Sequence, residues 1–186
     1  MLCSCFSIML TTVPQWVAVY VRSRSEKRVA DLLQRAGIEN YLPIVTRRHK
    51  WSDRYKLVDE PLFTSYLFAK ITKTKVSVVK AVDGVVEIVA FGGEIVTVPE
   101  DQILTIKTMV DSNQELSVMN SEALQKGVRV KIVDGAFAGK EGILISDCKE
   151  GNFAVKIDAI RLSLVTHIDR LLLQPVYVKS RKTSKK

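Results

Sequence analysis

From about Val128 onward the chain breaks into short apolar runs separated by turns, and that punctuation limits its second half to a small all-β unit. The runs are Val128, Val130 and Ile132, then Ile143-Leu144-Ile145, Phe153-Ala154-Val155, Leu162-Ser163-Leu164-Val165 and Leu171-Leu172-Leu173, with Gly135, Gly139 and Gly142 between the first two. About fifty residues of this pattern suit a small SH3-like barrel, where glycines occupy positive-φ turns and closure protects the strand edges.

The first half has a different grammar. Trp16 to Val21 is β-branched and aromatic, with Trp16, Ala18 and Tyr20 on one face and three valines on the other, which predicts a buried strand. Ser23 stands three residues before Glu26 as a capping box, and Val29, Leu32, Leu33 and Ala36 follow at helical spacing before Gly37. One amphipathic helix over 24–36 is expected. Tyr41 to Arg54 mixes strand formers with basic residues, Leu62 to Ile71 reads as a second apolar strand, and the segment between them suits a hairpin. Val76 to Val82 predicts a short helix, Val85 to Val89 a strand, and Phe91-Gly92-Gly93-Glu94 a hairpin turn. Pro99 followed by two acids opens a helix through Val110. Strands returning by short connections imply an antiparallel sheet with flanking helices, an α+β domain. Residues 111–125 turn polar and lose periodicity, as a linker does.

Charge narrows the partners. The formal net charge is +8, but five basic side chains lie between Lys179 and Lys186, and without them the +8 falls to +3. The basicity is mostly a tail, suited to salt-sensitive attraction to phosphate. Cys3, Cys5 and Cys148 are odd in number and scattered, which argues against a disulfide framework and fits a reducing cytoplasm. With only His49 and His167 to join them, no zinc-ligand spacing arises. No phosphate loop or nucleophile elbow is present, so neither an enzyme nor a cofactor is expected. The apolar start, MLCSCFSIMLTTVPQ, has no Lys or Arg ahead of it and runs at once into a strand pattern. It reads as a poorly ordered extension, and no run approaches the ~18 apolar residues that cross a membrane.

Lys126 to Gly142, KGVRVKIVDGAFAGKEG, closely resembles a KOW motif. Trp16 to Tyr20, Pro43, Pro61-Leu62-Phe63-Thr64-Ser65-Tyr66-Leu67-Phe68, Gly84-Val85, Gly92-Gly93 and Val98-Pro99 resemble, in order, the N-terminal domain of NusG-like transcription factors. The resemblance runs from Trp16 to Pro175. It implies an extension over 1–13, an N-terminal domain over 14–111, a linker over 112–125, a KOW barrel over 126–176 and a basic tail over 177–186. Housekeeping members have Pro-Gly where this chain has Thr64-Ser65, and Pro where it has Ala136. Those departures look like a specialised paralogue, and by local likeness the chain is most similar to the UpxY-type antiterminators of surface or capsular polysaccharide operons.

The resemblance further implies a non-enzymatic elongation factor that holds RNA polymerase at its clamp helices and reduces pausing and termination. Phe63 falls at a docking position, with Tyr20 and Tyr66 as neighbours; periodicity alone makes the same rings core filling. Arg22, Arg24, Lys27 and Arg28, with Arg47, Arg48, Lys50, Arg54 and Lys56 interleaved by Trp51 and Tyr55, have the chemistry for phosphate contact and base stacking. Of these, Arg22, Arg24, Arg47, Arg48 and Lys50 are the candidates for nucleic acid of the transcription bubble; a solvated basic face is the plainer alternative. Phe137 is the candidate contact to a small-subunit ribosomal protein or termination factor, against a ring folded over the barrel mouth. Gly127, Gly135, Gly139 and Gly142 are assigned to backbone geometry. The rival reading is a KOW-type RNA-binding protein associated with the ribosome.

Overall fold

The computed structural model describes residues 12–51, 53–112, 115–121, 128–135, 137–144, 152–168 and 170–176. Gly127, the three cysteines, the extension up to residue 11 and the basic tail lie outside them.

The central strand β1 (Gln15–Val21) pairs antiparallel with β5 (Tyr66–Ile71) on one side, and with β6 (Val85–Ile88) and the short β9 (Thr97–Val98) on the other. The edge strand β2 (Glu39–Tyr41) lies against β5, giving the order β2-β5-β1-β6. The period-two pattern of β1 decides what covers each face. Val17, Val19 and Val21 join Val29 and Leu33 of α1 (Glu26–Arg35) and Val79 of α2 (Val76–Lys80) in one apolar cluster. Trp16 and Ala18 join Phe63, Phe68 and Val98, with Ile103, Ile106 and Met109 of α3 (Glu100–Asp111), in a second. Each large side chain so buried contributes about 1.5–3 kcal/mol relative to exposure, so a one-residue slip of β1 would invert both layers.

Two features of the helices differ from the sequence reading. Ser25, and not Ser23, is the N-cap of α1, and its hydroxyl makes no capping bond. Glu26 is buried and turns inward, where its carboxylate accepts the backbone N–H of Ser65 at 2.8 Å. Pro99 sits one position outside α3, as its N-cap.

Between β2 and β5 the chain throws out a two-stranded arm. Its strands β3 (Ile44–Lys50) and β4 (Tyr55–Pro61) pair with each other and, among the described residues, with no other strand. The expected small hairpin forms too, as β7 (Ala90–Phe91) and β8 (Glu94–Ile95) around Gly92 and Gly93, both at positive φ.

Among the described residues, the second half forms a six-stranded antiparallel sheet. Its members are β10 (Leu116–Asn120), β11 (Val128–Ile132), β12 (Glu141–Leu144), β13 (Asn152–Ile157), β14 (Leu162–His167) and β15 (Leu173–Pro175), in the order β10-β14-β13-β12-β11-β15. Strand β10 corrects the linker expectation. Leu116, Val118 and the residues between them alternate in the short register of an edge strand, and they pair with β14 over five positions. The Ser121 and Ser163 hydroxyls, both buried, meet at 2.8 Å beyond its end.

The halves touch. A single 3-10 turn, Asp158–Ile160, lies against β1 and β9. Its Ala159 and Ile160 are buried in the same cluster as Trp16, Ala18 and Phe63. Gln102 donates its side-chain amide to Lys156 O at 2.8 Å, and the Arg161 guanidinium lies 5.7 Å from the centre of the Phe91 ring.

Candidate docking face and basic arm

Tyr20 and Tyr66 are directly opposed on β1 and β5, and their rings lie 5.2 Å apart, tilted at 48°. Tyr20 is 36% exposed and Tyr66 half-buried. The Tyr66 hydroxyl is pushed above the ordinary phenol range by burial first, then by Tyr20 and Glu87. Phe63 lies deeper, 1% exposed and edge-on to Phe68 at 6.0 Å. Of the three predicted docking residues, the two tyrosines reach the surface and Phe63 is buried.

The turn that carries Phe63 is fixed from both sides. Ser65 has φ of 65°, in the left-handed region, a conformation that costs a non-glycine residue roughly 1 kcal/mol or more. Its carbonyl accepts from Val21 N–H at 2.9 Å while its own N–H donates to Glu26. Those two bonds hold the strained residue where β5 begins. The inward role of Glu26 was invisible in the sequence, where its spacing from Ser23 suggested a cap.

The arm carries most of the candidate phosphate contacts, on two faces. Opposed residues on an antiparallel pair share a face, so Arg48 with Leu57 and Lys50 with Tyr55 lie on one side, and Arg47 with Val58 and His49 with Lys56 on the other. On the first face the Arg48 guanidinium sits 3.9 Å over the Tyr55 ring. Tyr55 and Trp51 are 57% and 58% exposed. Leu57, still more exposed, went unremarked in the sequence, although it falls on the same alternation as Tyr55. On the second face Glu60 accepts from Arg47 Nε at 3.1 Å and lies 3.2 Å from His49 Nε2.

Arg22 and Arg24 flank the same end of the sheet. Arg22 pairs loosely with Asp83 at 3.8 Å, and Arg28 holds the same carboxylate at 2.6 Å. Exposed pairs of this kind contribute at most about 1 kcal/mol, so a phosphate can displace them readily. Arg24 is exposed at φ of 64°. Lys27 bridges to the arm through Asp59 O at 2.9 Å, bringing the basic end of α1 and the arm into one surface.

In the second half Phe137 is 5% exposed and belongs to the interior cluster, so its ring is buried and does not project. Val128, Val133 and Leu171 are exposed apolar residues of this region. Gly135 and Gly139 have positive φ. Gly142 has another reason: a Cβ there would overlap the Phe153 ring and lie 2.6 Å from Ala154 O.

An exposed tyrosine pair on one sheet and a two-stranded basic arm stand in the first half, and a second antiparallel sheet makes up the other half. The chain belongs to the NusG family: the family model described as transcription termination factor nusG matches residues 14–107, just over half its length. NusG family proteins are transcription factors and not enzymes. A structure described as domain interaction in Thermotoga maritima NusG is similar over 88% of this chain and 98% of its own, at 19% identity and a TM-score of 0.51, a likeness of fold. The MjSpt4:Spt5 complex in conformation A covers 87% of this chain and 97% of its own, at 17% identity and a TM-score of 0.31, too low to support an argument. Among the described residues no helix is long and apolar enough to cross a membrane.

Proposed function

We propose that this protein is an elongation factor that docks on the clamp helices of RNA polymerase through Tyr20, Tyr66 and Phe63, and suppresses pausing and termination. The observation that carries the reading is the partly exposed tyrosine pair next to the turn that buries Phe63, on the half of the chain that matches the family. A helix tip seated on such a face gains most of its binding energy from a few desolvated aromatic contacts, each roughly 1–3 kcal/mol on truncation. Because Phe63 shares a cluster with Ala159 and Ile160, a partner meets the tyrosines first and reaches Phe63 only when the 158–160 turn withdraws. The interaction of domains described for the Thermotoga protein is in keeping with such a seated arrangement.

In this reading the second sheet is a KOW barrel that engages a further partner, a small-subunit ribosomal protein or a termination factor. The first face of the arm contacts nucleic acid of the bubble through Arg48 and Lys50. The Thr64-Ser65 departure supports a specialised role of the UpxY type, at surface or capsular polysaccharide operons in the cytoplasm. Single-round transcription by core polymerase across an intrinsic pause and a terminator tests it. Shorter pauses and greater readthrough with added protein are expected. Longer pauses or greater termination would reverse the assigned sign, and RNA affinity without any effect on polymerase would favour the ribosomal RNA-binding rival.

A further inference from the structure

A row of side chains crosses the first sheet beside the docking residues. Tyr66 on β5 opposes Tyr20 on β1, and Tyr20 in turn opposes Glu87 on β6. Residues opposed on antiparallel strands share a face, so the Glu87 carboxylate borders the tyrosine pair on the side of β1 that also carries Trp16 and Ala18. At the Trp16 end α3 and the 158–160 turn cover this face. At the other end it is open, with Tyr20 and Glu87 exposed and Tyr66 half-buried. The Tyr66 hydroxyl, pushed up first by burial and then by Tyr20, is pushed up further by Glu87, so the carboxylate acts across β1 on the far strand. Glu87 enters none of the ion pairs among the described residues, whereas Asp83, just before the same strand, is held by Arg22 and Arg28.

We propose that Glu87 selects, for docking on the tyrosine face, a partner surface that presents an arginine. The inference rests on the reading of that face as the polymerase dock, and it names the chemistry a clamp-helix tip brings to it. A surface that covers Tyr20 and Tyr66 also takes water from Glu87, their neighbour in the row. A carboxylate desolvated without a cation is strongly penalised, so a purely apolar tip is rejected. A guanidinium suits the site better than an ammonium: it is planar, lies flat on a tyrosine ring and forks its N–H donors onto the carboxylate beside that ring. Arg48 over Tyr55 is an example of such stacking within this chain. The net charge of +8 would otherwise repel a basic tip, which makes the carboxylate in the row the local determinant of charge preference.

The test measures binding of the full chain, labelled with a fluorophore at its N-terminus, to core RNA polymerase by anisotropy. Tyr20→Ala reports on the dock itself; Glu87→Gln and Glu87→Arg report on the carboxylate, which is exposed and outside the core. Glu87→Gln is expected to weaken binding about ten-fold, the low end for a hydrogen bond to a charged group, and Glu87→Arg further still. Changing one arginine of the clamp-helix tip to glutamate should weaken binding to wild type and restore binding to Glu87→Arg, as a directly coupled pair requires. Wild-type affinity in both Glu87 variants, with Tyr20→Ala impaired, would overturn the inference and leave the polymerase dock standing. Weakened binding that no arginine reversal restores would overturn it as well. If Tyr20→Ala binds as wild type does, or wild type does not bind, the dock and the inference fall together.

Discussion

Replacing Glu26 by alanine should loosen the turn that presents Phe63 and Tyr66 without touching either ring. The carboxylate is 4% exposed, and its role is to satisfy a buried N–H on a residue already in the left-handed region. Removing it leaves that N–H without its acceptor and forfeits a hydrogen bond to a charged group, a combined cost of about 2–3 kcal/mol. Glutamine retains an acceptor oxygen at the same reach, so Glu26→Gln should cost about 1 kcal/mol, the difference between a charged and a neutral acceptor. For a chain of this size each kcal/mol moves the midpoint of thermal unfolding by ~2–4 °C, so alanine should lower it by roughly 4–12 °C and glutamine by roughly 2–4 °C. Calorimetry or circular dichroism melts measure both. Equal shifts for the two variants, or no shift for alanine, would refute the assignment of Glu26 as the support of Ser65.

Gly142→Ala forces a methyl into the Phe153 ring and the Ala154 carbonyl, and should destabilise the second sheet by about 3 kcal/mol, the upper end for overpacking, visible as a lowered denaturant midpoint. Ser65→Gly relieves left-handed strain but adds chain entropy to the unfolded state, two terms of about 1 kcal/mol that nearly cancel, so its urea midpoint should stay close to wild type. Glu100 is held below the ordinary carboxylate value of 4.5, first by the Lys70 ammonium and then by the Trp16 indole. A depressed carboxylate contributes stability that is present above 4.5 and lost as pH falls through its lower folded value. Glu100→Gln should therefore flatten that part of the acid limb of the stability curve, measured by urea unfolding at a series of pH values.

Much of the first half was legible because β1 states both faces at once: Trp16 and Ala18 went to one layer and the three valines to the other, as period-two alternation requires. The arm was legible as a hairpin somewhere between Tyr41 and Leu62 but not in its bounds or register, since a hairpin with both faces largely in water imposes no apolar period. Strand β10 was missed for a similar reason. Its apolar residues Leu116, Val118 and Met119 sit in a polar stretch without a clean alternation, and only pairing with β14 makes them a strand. Side-chain depth was the other gap. Phe63, Tyr66 and Tyr20 look alike in sequence, yet one is core and two reach the surface, because depth depends on what the turn at Ser65 and the 158–160 turn bring over them. Arg47 and Arg48 are adjacent and chemically identical, and only the register of β3 against β4 sends one toward Leu116 and the other toward Tyr55.

The burial of Phe63 also decides how polymerase docking is best tested. Phe63→Ala would cost about 3–5 kcal/mol through the cavity it leaves, so a loss of binding would not separate docking from folding. Tyr20, the most exposed of the three, avoids that confusion. The most direct measurement is capture of core RNA polymerase by wild type and by Tyr20→Ala, at moderate and high salt, with unchanged circular dichroism for the variant. Salt-resistant capture by wild type that falls at least several-fold in the folded variant is the predicted result. Capture that fades with salt for both proteins alike, or that is indifferent to Tyr20, would contradict docking through the tyrosine face.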